Sequence, residues 1–257
     1  MSKKSAPSRD ETAKSDAERA GLKDQKSYER AIEYVKNLLS TGRLAPGVKL
    51  PAERELAATL NLGRNSAREA VRMLENLGIV ESRQGSGNYV VDKFGDSLTD
   101  LFEFSFLLGS IDLLSATRLK RIMEAEAISI ACSSRNRADL AELKELLESF
   151  PDEIDEDAFD AWLANERAFH HKILTFSGGA LFLSLNAAID NLYSHNFCMR
   201  CVFSDPSFFL QSKIAHRDMF DAIAEGNALK GVSAVSLHYN FAESFIRNDA
   251  ANKDADS

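Results

Sequence analysis

The feature that most constrains the fold of this chain is a change of period at Gly78. Before it, in "RNSAREAVRMLENL", the apolar residues Ala67, Ala70, Val71, Leu74 and Leu77 recur at helical spacing and share one face. Arg64, Asn65, Arg68 and Arg72 fall on the other face. After it, "IVESRQGSGNYVV" alternates apolar with polar and turns at Gly85-Ser86-Gly87, the pattern of a two-stranded hairpin. A helix with one arginine-bearing face, followed at once by a hairpin, needs further apolar surface to pack on. The preceding residues supply it. From Tyr28, the residues Ile32, Val35, Leu38 and Leu39 predict a helix that stops at Gly42. "LAPGVKLPAERELAATLNLG" predicts a turn at Pro46-Gly47 and a second helix entered at Pro51, where a missing N–H costs nothing. Its Leu56, Ala57 and Leu60 face the first helix, and Gly63 breaks the chain before the third. Three short helices and a hairpin make a winged helix-turn-helix.

Charge gives this unit a partner. Net charge is -8 over the whole chain, yet residues 1–93 carry 17 Lys and Arg against 13 acids, while residues 94–257 carry 14 against 26. A basic head on an acidic body suits a polyanion, because Lys and Arg contacts to phosphates release counterions. Arg64 and Asn65 begin the third helix, the end of a recognition helix that reaches base edges. There arginine pairs bidentately with guanine and asparagine with adenine. Arg72 suits phosphate or solvent, and the hairpin tip suits the DNA backbone or the minor groove.

The remainder reads as helix throughout, so the expected fold class is mainly α: the winged unit, then an all-α helical bundle. Helices are expected over about 96–109, 112–132, 136–149, 156–177, 179–203, 207–225 and 228–248. The expected division is a disordered tail at 1–25, a DNA-binding domain at 26–93, an effector-binding and dimerisation domain at 94–250 and a disordered tail at 251–257. No apolar run approaches the roughly 18 to 20 residues of a membrane span, and the N-terminus has no signal-like apolar stretch, so a cytoplasmic protein without a membrane partner is expected. Cys132, Cys198 and Cys201 are too few and too odd in number for a disulfide framework, and read as small core or pocket-lining residues.

Within the body, Glu166 and His170 stand four apart on one helix face, flanked by Phe159, Trp162, Phe169 and Ile173. His171 is turned about 100° away, toward solvent. His216 falls among Phe209, Met219, Phe220 and Ile223, and His238 among Ala234, Phe241, Ala242 and Phe245. Any one of these histidines alone reads as a core residue bonded to a neighbour. Three histidines and a carboxylate from three apolar helix faces are satisfied together by a shared divalent cation: zinc first, with nickel, manganese or iron also suited to these ligands. His195 shares an inward face with Asn191 and Cys198, which makes His195 and Asn191 candidates for a ligand pocket.

The stretch "LAPGVKLPAERELAATLNLGRNSAREAVRMLENLGIVESRQGSGNYVV" resembles the winged helix-turn-helix of the GntR family of bacterial transcription regulators, through P-G-x-x-L-P-x-E-R-x-L-A and R-x-x-x-R-E-A. The resemblance implies DNA contacts at Arg54, Arg64, Arg68, Gln84 and Gly85, with Asn65 and Ser66 beside them, in a homodimer on an inverted-repeat double-stranded operator. Gly63 stands where the family usually has Ser or Thr, so the hydroxyl available there to a phosphate is missing. In the body, E-x-x-F-H at Glu166–His170, followed by two histidines 22 residues apart, resembles the metal-binding form of the FCD effector domain of the FadR-type branch. The first ligand there is usually Asp; here it is Glu166, one methylene longer. Lys120 and Arg121 occupy the stretch where the family carries an effector-binding arginine. The implied effector is a carboxylate, an organic or sugar acid. A metal-dependent enzyme and a DNA-binding protein with a purely structural metal are the competing readings, and no nucleophile or nucleotide-binding motif supports the first.

Overall fold

The structure is a computed structural model that describes residues 27–193, 195–203 and 206–255. It divides into two compact units, Met1–Ser97 and Leu98–Ser257, slightly beyond the boundary expected at 93. The tail expected over 1–25 lies outside the described residues.

In the first unit, α1 (27–40) buries Ala31, Val35 and Leu38. It closes at Gly42, whose φ of +70° lets the amides of Gly42 and Leu44 return to the carbonyls of Leu39 and Leu38. At the start of α2 (Glu53–Leu60), the Ala52 amide donates to the Glu55 carboxylate at 2.9 Å. The helix α3 (Arg64–Asn76) starts from extended Gly63 and buries Ser66, Ala67, Ala70, Val71 and Leu74. Leu77, expected on that buried face, is the C-cap and is 52% exposed, because the helix has ended and its phase no longer holds. Strands β1 (Val80–Arg83) and β2 (Gly87–Val90) pair antiparallel, with Val80 opposite Val90 and Arg83 opposite Gly87. The segment after Pro46 adds a short edge to β2. Gly47 donates to the Val90 carbonyl at 2.8 Å, Val90 to Val48 at 2.9 Å, and Leu50 to Asn88 at 2.8 Å. This third edge was not expected, since main-chain pairing between two prolines leaves no alternating side-chain pattern. Leu50, Leu56, Val71, Val80 and Val90 join α1 in one core.

The helix α4 (Phe94–Leu107) crosses the unit boundary and buries none of its residues. In the second unit, α5 (Leu113–Ser134) is capped by Asp112, which accepts from the Ser115 amide at 2.7 Å. Then come α6 (Arg137–Glu148), α7 (Phe159–Thr175), α8 (Ala180–Leu192), α9 (His195–Phe203), α10 (Pro206–Glu225) and α11 (Ala228–Ala255). α5 packs against α7, α8, α10 and α11, and so forms the centre of the bundle. α11 approaches it closely at Gly231, where an added Cβ would lie 3.1 Å from Ile128.

Two helix expectations are corrected. The single helix expected over 179–203 is two helices, α8 and α9, because Tyr193 leaves the helix with φ -83° and ψ 96°. Its hydroxyl pairs with that of Thr117 at 2.7 Å, and Lys120 lies over its ring, so the break is made by contacts with α5 rather than by a local breaker. α11 runs to Ala255, so residues expected to end the helix at 248 and to form a tail from 251 continue it; nothing in "FIRNDAANKDA" interrupts a helix. Among the described residues, no helix is long and apolar enough to cross a membrane.

Candidate nucleic-acid interface and metal centre

Arg64, Asn65, Arg68 and Arg72 are all exposed on α3, opposite its buried face. Arg68 donates to the Asn65 side-chain carbonyl at 3.2 Å, which holds the two side chains side by side. Arg54 on α2 and Arg64 are exposed and make no ion pair among the described residues, so both guanidinium groups are available to an anion. At the wing, Gln84 and Gly85 form the exposed tip. Arg83 stacks on Tyr89 with its guanidinium carbon 4.5 Å from the ring centroid, and Glu81 pairs with both Arg83 and Lys93. Ser66, expected beside Asn65, is only 1% exposed, because its side chain lies on the inward face with Ala67 and Ala70.

In the second unit, four side chains from three helices converge. Glu166 and His170 come from α7, His216 from α10 and His238 from α11, and one donor atom from each lies within 4.8 Å of all the others. Glu166 Oε1 stands 3.2 Å from His170 Nε2 and 3.4 Å from the Nε2 atoms of both His216 and His238. The two nitrogens of His170 and His216 are 3.2 Å apart. Ligands about 2.1 Å from a tetrahedral cation stand roughly 3.4 Å from one another, so these spacings suit one shared ion. The longer side chain of Glu166 still delivers its oxygen to the group. Its other oxygen, Oε2, is buried and has no hydrogen-bond partner among the described residues. His171 is exposed, as its position on the helix requires.

A second layer holds His170 and His216 in place, whereas the buried Nδ1 atoms of His216 and His238 have no hydrogen-bond partner among the described residues. His170 Nδ1 meets Glu124 Oε2 at 2.7 Å, and the hydroxyl of Tyr239 donates to Glu124 Oε1 at 2.5 Å. Phe150 stacks on the His216 ring with centroids 4.8 Å apart. Burial works against the charged His170 ring, but the Glu124 and Glu166 carboxylates outweigh it and push its pKa up to about 10. Burial also opposes the Glu166 carboxylate, yet His216 and His170 hold its pKa well below the usual range. His238 is held well below its ordinary value by burial and by the charges of His170 and His216. His170 therefore holds its second proton while His238 stays neutral, and binding of a cation would release that proton, because a ligand imidazole must offer a free lone pair.

Beside it lies a cavity of about 110 Å³, lined by Glu166, His170 and His238 on one side and by Lys120, Asp190 and Tyr193 on another. Trp162, Phe197 and Phe208 complete an aromatic wall. Lys120 is ion-paired with Asp190, which also accepts from Asn186 at 2.8 Å. Cys198 and Cys201 line the same cavity. Burial pushes the Cys198 thiol up to about 11 and raises that of Cys201 further, so both are neutral thiols at physiological pH.

Of the residues expected in an effector pocket, only Lys120 has its side chain placed there. Arg121 is half-buried and turned to α11, where it pairs with Glu243 at 2.8 Å. Asn191 is exposed, because the break at Tyr193 removes the continuous helix on which its inward phase depended. His195 begins α9, but its side chain lies outside the described residues. Glu124, Tyr239 and Asp190 were not expected. Lys120 and Glu124 do sit on the apolar stripe that runs through Ala116, Ala127 and Ile128, and two opposite charges four residues apart on a core face are a legible sign of a buried polar site.

Comparison with known proteins agrees with both halves. Residues 27–90 match the family described as bacterial regulatory proteins, gntR family, and residues 116–241 match the FCD domain. The Uxu operon transcriptional regulator of Escherichia coli is 28% identical over 163 residues, which span 63% of this chain and 62% of that protein. The HTH-type transcriptional regulator LutR of Bacillus subtilis is 24% identical over 81% of this chain and 96% of its own. A solved structure, Streptococcus agalactiae GntR, superposes with a TM-score of 0.59 at 26% identity, covering 84% of this chain and 99% of that one.

Proposed function

We infer, for a chain that belongs to the GntR family of bacterial transcription regulators and carries an FCD effector domain, that a small carboxylate bound beside a divalent cation controls its hold on operator DNA. The observation that carries this reading is the convergence of Glu166, His170, His216 and His238 at the edge of a cavity that also presents Lys120. The relatives are transcriptional regulators, so the reading of a metal-dependent enzyme falls away.

Glu166, His170, His216 and His238 would hold the ion, with zinc first among the metals such donors suit. The ion would supply a positive site for an anionic oxygen. The chain's own residues do the rest. Lys120, kept charged by Asp190, offers a second cation to the same ligand, and Trp162, Phe197 and Phe208 exclude water around its carbon skeleton. An organic or sugar acid with a carboxylate and hydroxyl groups fits such a cavity. Because Lys120 and Glu124 both lie on α5, which packs against four other helices, a ligand that draws on them shifts the central helix of the bundle. In a cytoplasmic homodimer on an inverted-repeat operator, that shift changes the spacing of the two winged units. Arg54, Arg64, Asn65, Arg68 and the wing tip at Gln84 and Gly85 make the DNA contacts.

Native mass spectrometry of protein purified without chelator tests the reading. It should show about one divalent metal per chain, and a panel of hydroxy acids and sugar acids should include one that binds only to the metal-loaded form and alters operator affinity. Equal binding of that acid by chelated and loaded protein would sink the reading.

A further inference from the structure

The outer face of α5 carries a pattern that nothing in the winged unit or the metal site uses. Ile122 is 64% exposed there. Arg118 stands four residues before it and Glu126 four residues after, both exposed on the same stripe of the helix. Leu119 and Ala125, three residues to either side, are half-buried beneath them. A groove of about 630 Å³ opens at this face, lined by Leu119, Ile122, Ala125 and Glu126 from α5 and by Phe182 and Leu185 from α8. Next to it, Leu181 on α8 is also exposed.

The pattern is complementary to itself. When two copies of a helix cross antiparallel on a two-fold axis through one residue, positions equally far before and after that residue face each other. With Ile122 on the axis, Arg118 faces the partner's Glu126, about 6 Å along the helix from the axis, and Leu119 faces the partner's Ala125. Opposite charge meets opposite charge and apolar meets apolar, each contact occurring twice. Glu126 makes no ion pair among the described residues, and Arg118 reaches Glu243 only through Nε at 3.5 Å. The charges on the stripe are thus largely free for a facing chain.

We propose that the α5–α8 groove is the seam of a two-fold dimer of this chain, with Ile122 at its axis and reciprocal Arg118–Glu126 pairs across it. The proposal rests on the dimeric reading above and assigns it a surface. It also places the seam on the back of the helix whose inner face carries Lys120 and Glu124, so that cavity and dimer contact share one rigid element.

Charge exchange tests it. Glu126→Arg puts two arginine pairs across the axis, and Arg118→Glu puts two glutamate pairs there. Each variant alone should dimerise at least about tenfold more weakly in sedimentation equilibrium. Mixed in equal amounts, the two variants face each other with opposite charges at both positions and should form a heterodimer of near wild-type affinity. Circular dichroism melts of each variant report folding separately, and Glu126→Arg carries the decision, because Arg118→Glu also places a carboxylate near Glu243. A wild-type monomer would overturn the dimeric reading itself. A wild-type dimer whose affinity is unchanged in Glu126→Arg, or a weakened pair of variants that fails to recover on mixing, would overturn this seam and leave the dimer standing.

Discussion

Glu124 decides which face the His170 ring presents. With Nδ1 held by the Glu124 carboxylate at 2.7 Å, Nε2 is left to point at Glu166 and His216, so the buried acid fixes the ring orientation and would keep the remaining proton on Nδ1 when Nε2 gives up its own to a cation. Glu124→Gln keeps the volume but removes the charge that polarises the ring, and metal affinity should drop about 10- to 100-fold, as read by competition with a chromogenic chelator. Unchanged affinity would show that the bond to Nδ1 contributes nothing. A different single residue governs the winged unit. Gly78 and Gly42 share a φ of +70°, but a Cβ at Gly78 would lie 2.6 Å from the Lys93 carbonyl oxygen, whereas nothing lies within 4 Å at Gly42. Left-handed backbone alone costs a residue with a Cβ about 1 to 2 kcal/mol. Gly42→Ala should therefore cost about that much in a urea melt, and Gly78→Ala clearly more, since a backbone atom must also move. Equal costs would mean that the carbonyl yields freely. Both glycines read as helix stops in the sequence. The carbonyl that separates them comes from a residue beyond the wing, and no local pattern announces it.

At the scale of elements, helices whose phase is uninterrupted were legible and those broken by distant contacts were not. α3 presents Arg64 and Arg68 because its apolar spacing holds from Ala67 to Leu74, and the reading fails at Leu77, one residue past the helix end. In the same way, α7, α10 and α11 each run unbroken through their ligands, so the faces assigned to Glu166, His170, His216 and His238 follow from spacing alone. α8 and α9 fail that condition. Tyr193 turns out of the helix to meet Thr117, some 76 positions away in sequence, and every face assigned across that break loses its meaning. The burial of Ser66 escapes the sequence for another reason: a resemblance transfers position in a motif, not burial. The difference is measurable on α3. Arg64→Ala and Arg68→Ala should each lose about 1 to 3 kcal/mol of affinity for a specific operator with the fold intact, the usual cost of one base contact. Ser66→Ala should leave operator affinity within a factor of a few, because its side chain is buried. Gel-shift titrations that rank Ser66 with the arginines would show that α3 meets DNA by a different face.

For the whole molecule, the separation into two compact units makes metal and DNA separable in experiment. The proposed ligands all lie in the unit that begins at Leu98, and the proposed DNA contacts all lie in the unit that ends at Ser97. A cation that binds the folded state alone stabilises it by RT ln(1 + [L]/Kd), about 4 kcal/mol at a thousandfold excess over Kd. For a unit of this size that corresponds to a shift in Tm of roughly 8 to 16 °C. Stripping the metal should lower the melting transition of the helical body by about that amount and leave the winged unit's transition where it was, as followed by differential scanning calorimetry. His238→Ala should reproduce the loss without chelator, since removing one ligand leaves buried neighbours without their shared partner. His171→Ala, on the exposed side of the same helix, should change nothing. Basal operator binding should survive chelation while the response to an acid ligand disappears, because α3 and the wing fold on their own core whereas the ligand needs the cation. If chelation instead shifts both transitions together, the units unfold as one and the metal acts on DNA binding through global stability. If neither transition moves, Glu166 and the three histidines are a hydrogen-bonded core cluster and hold no ion.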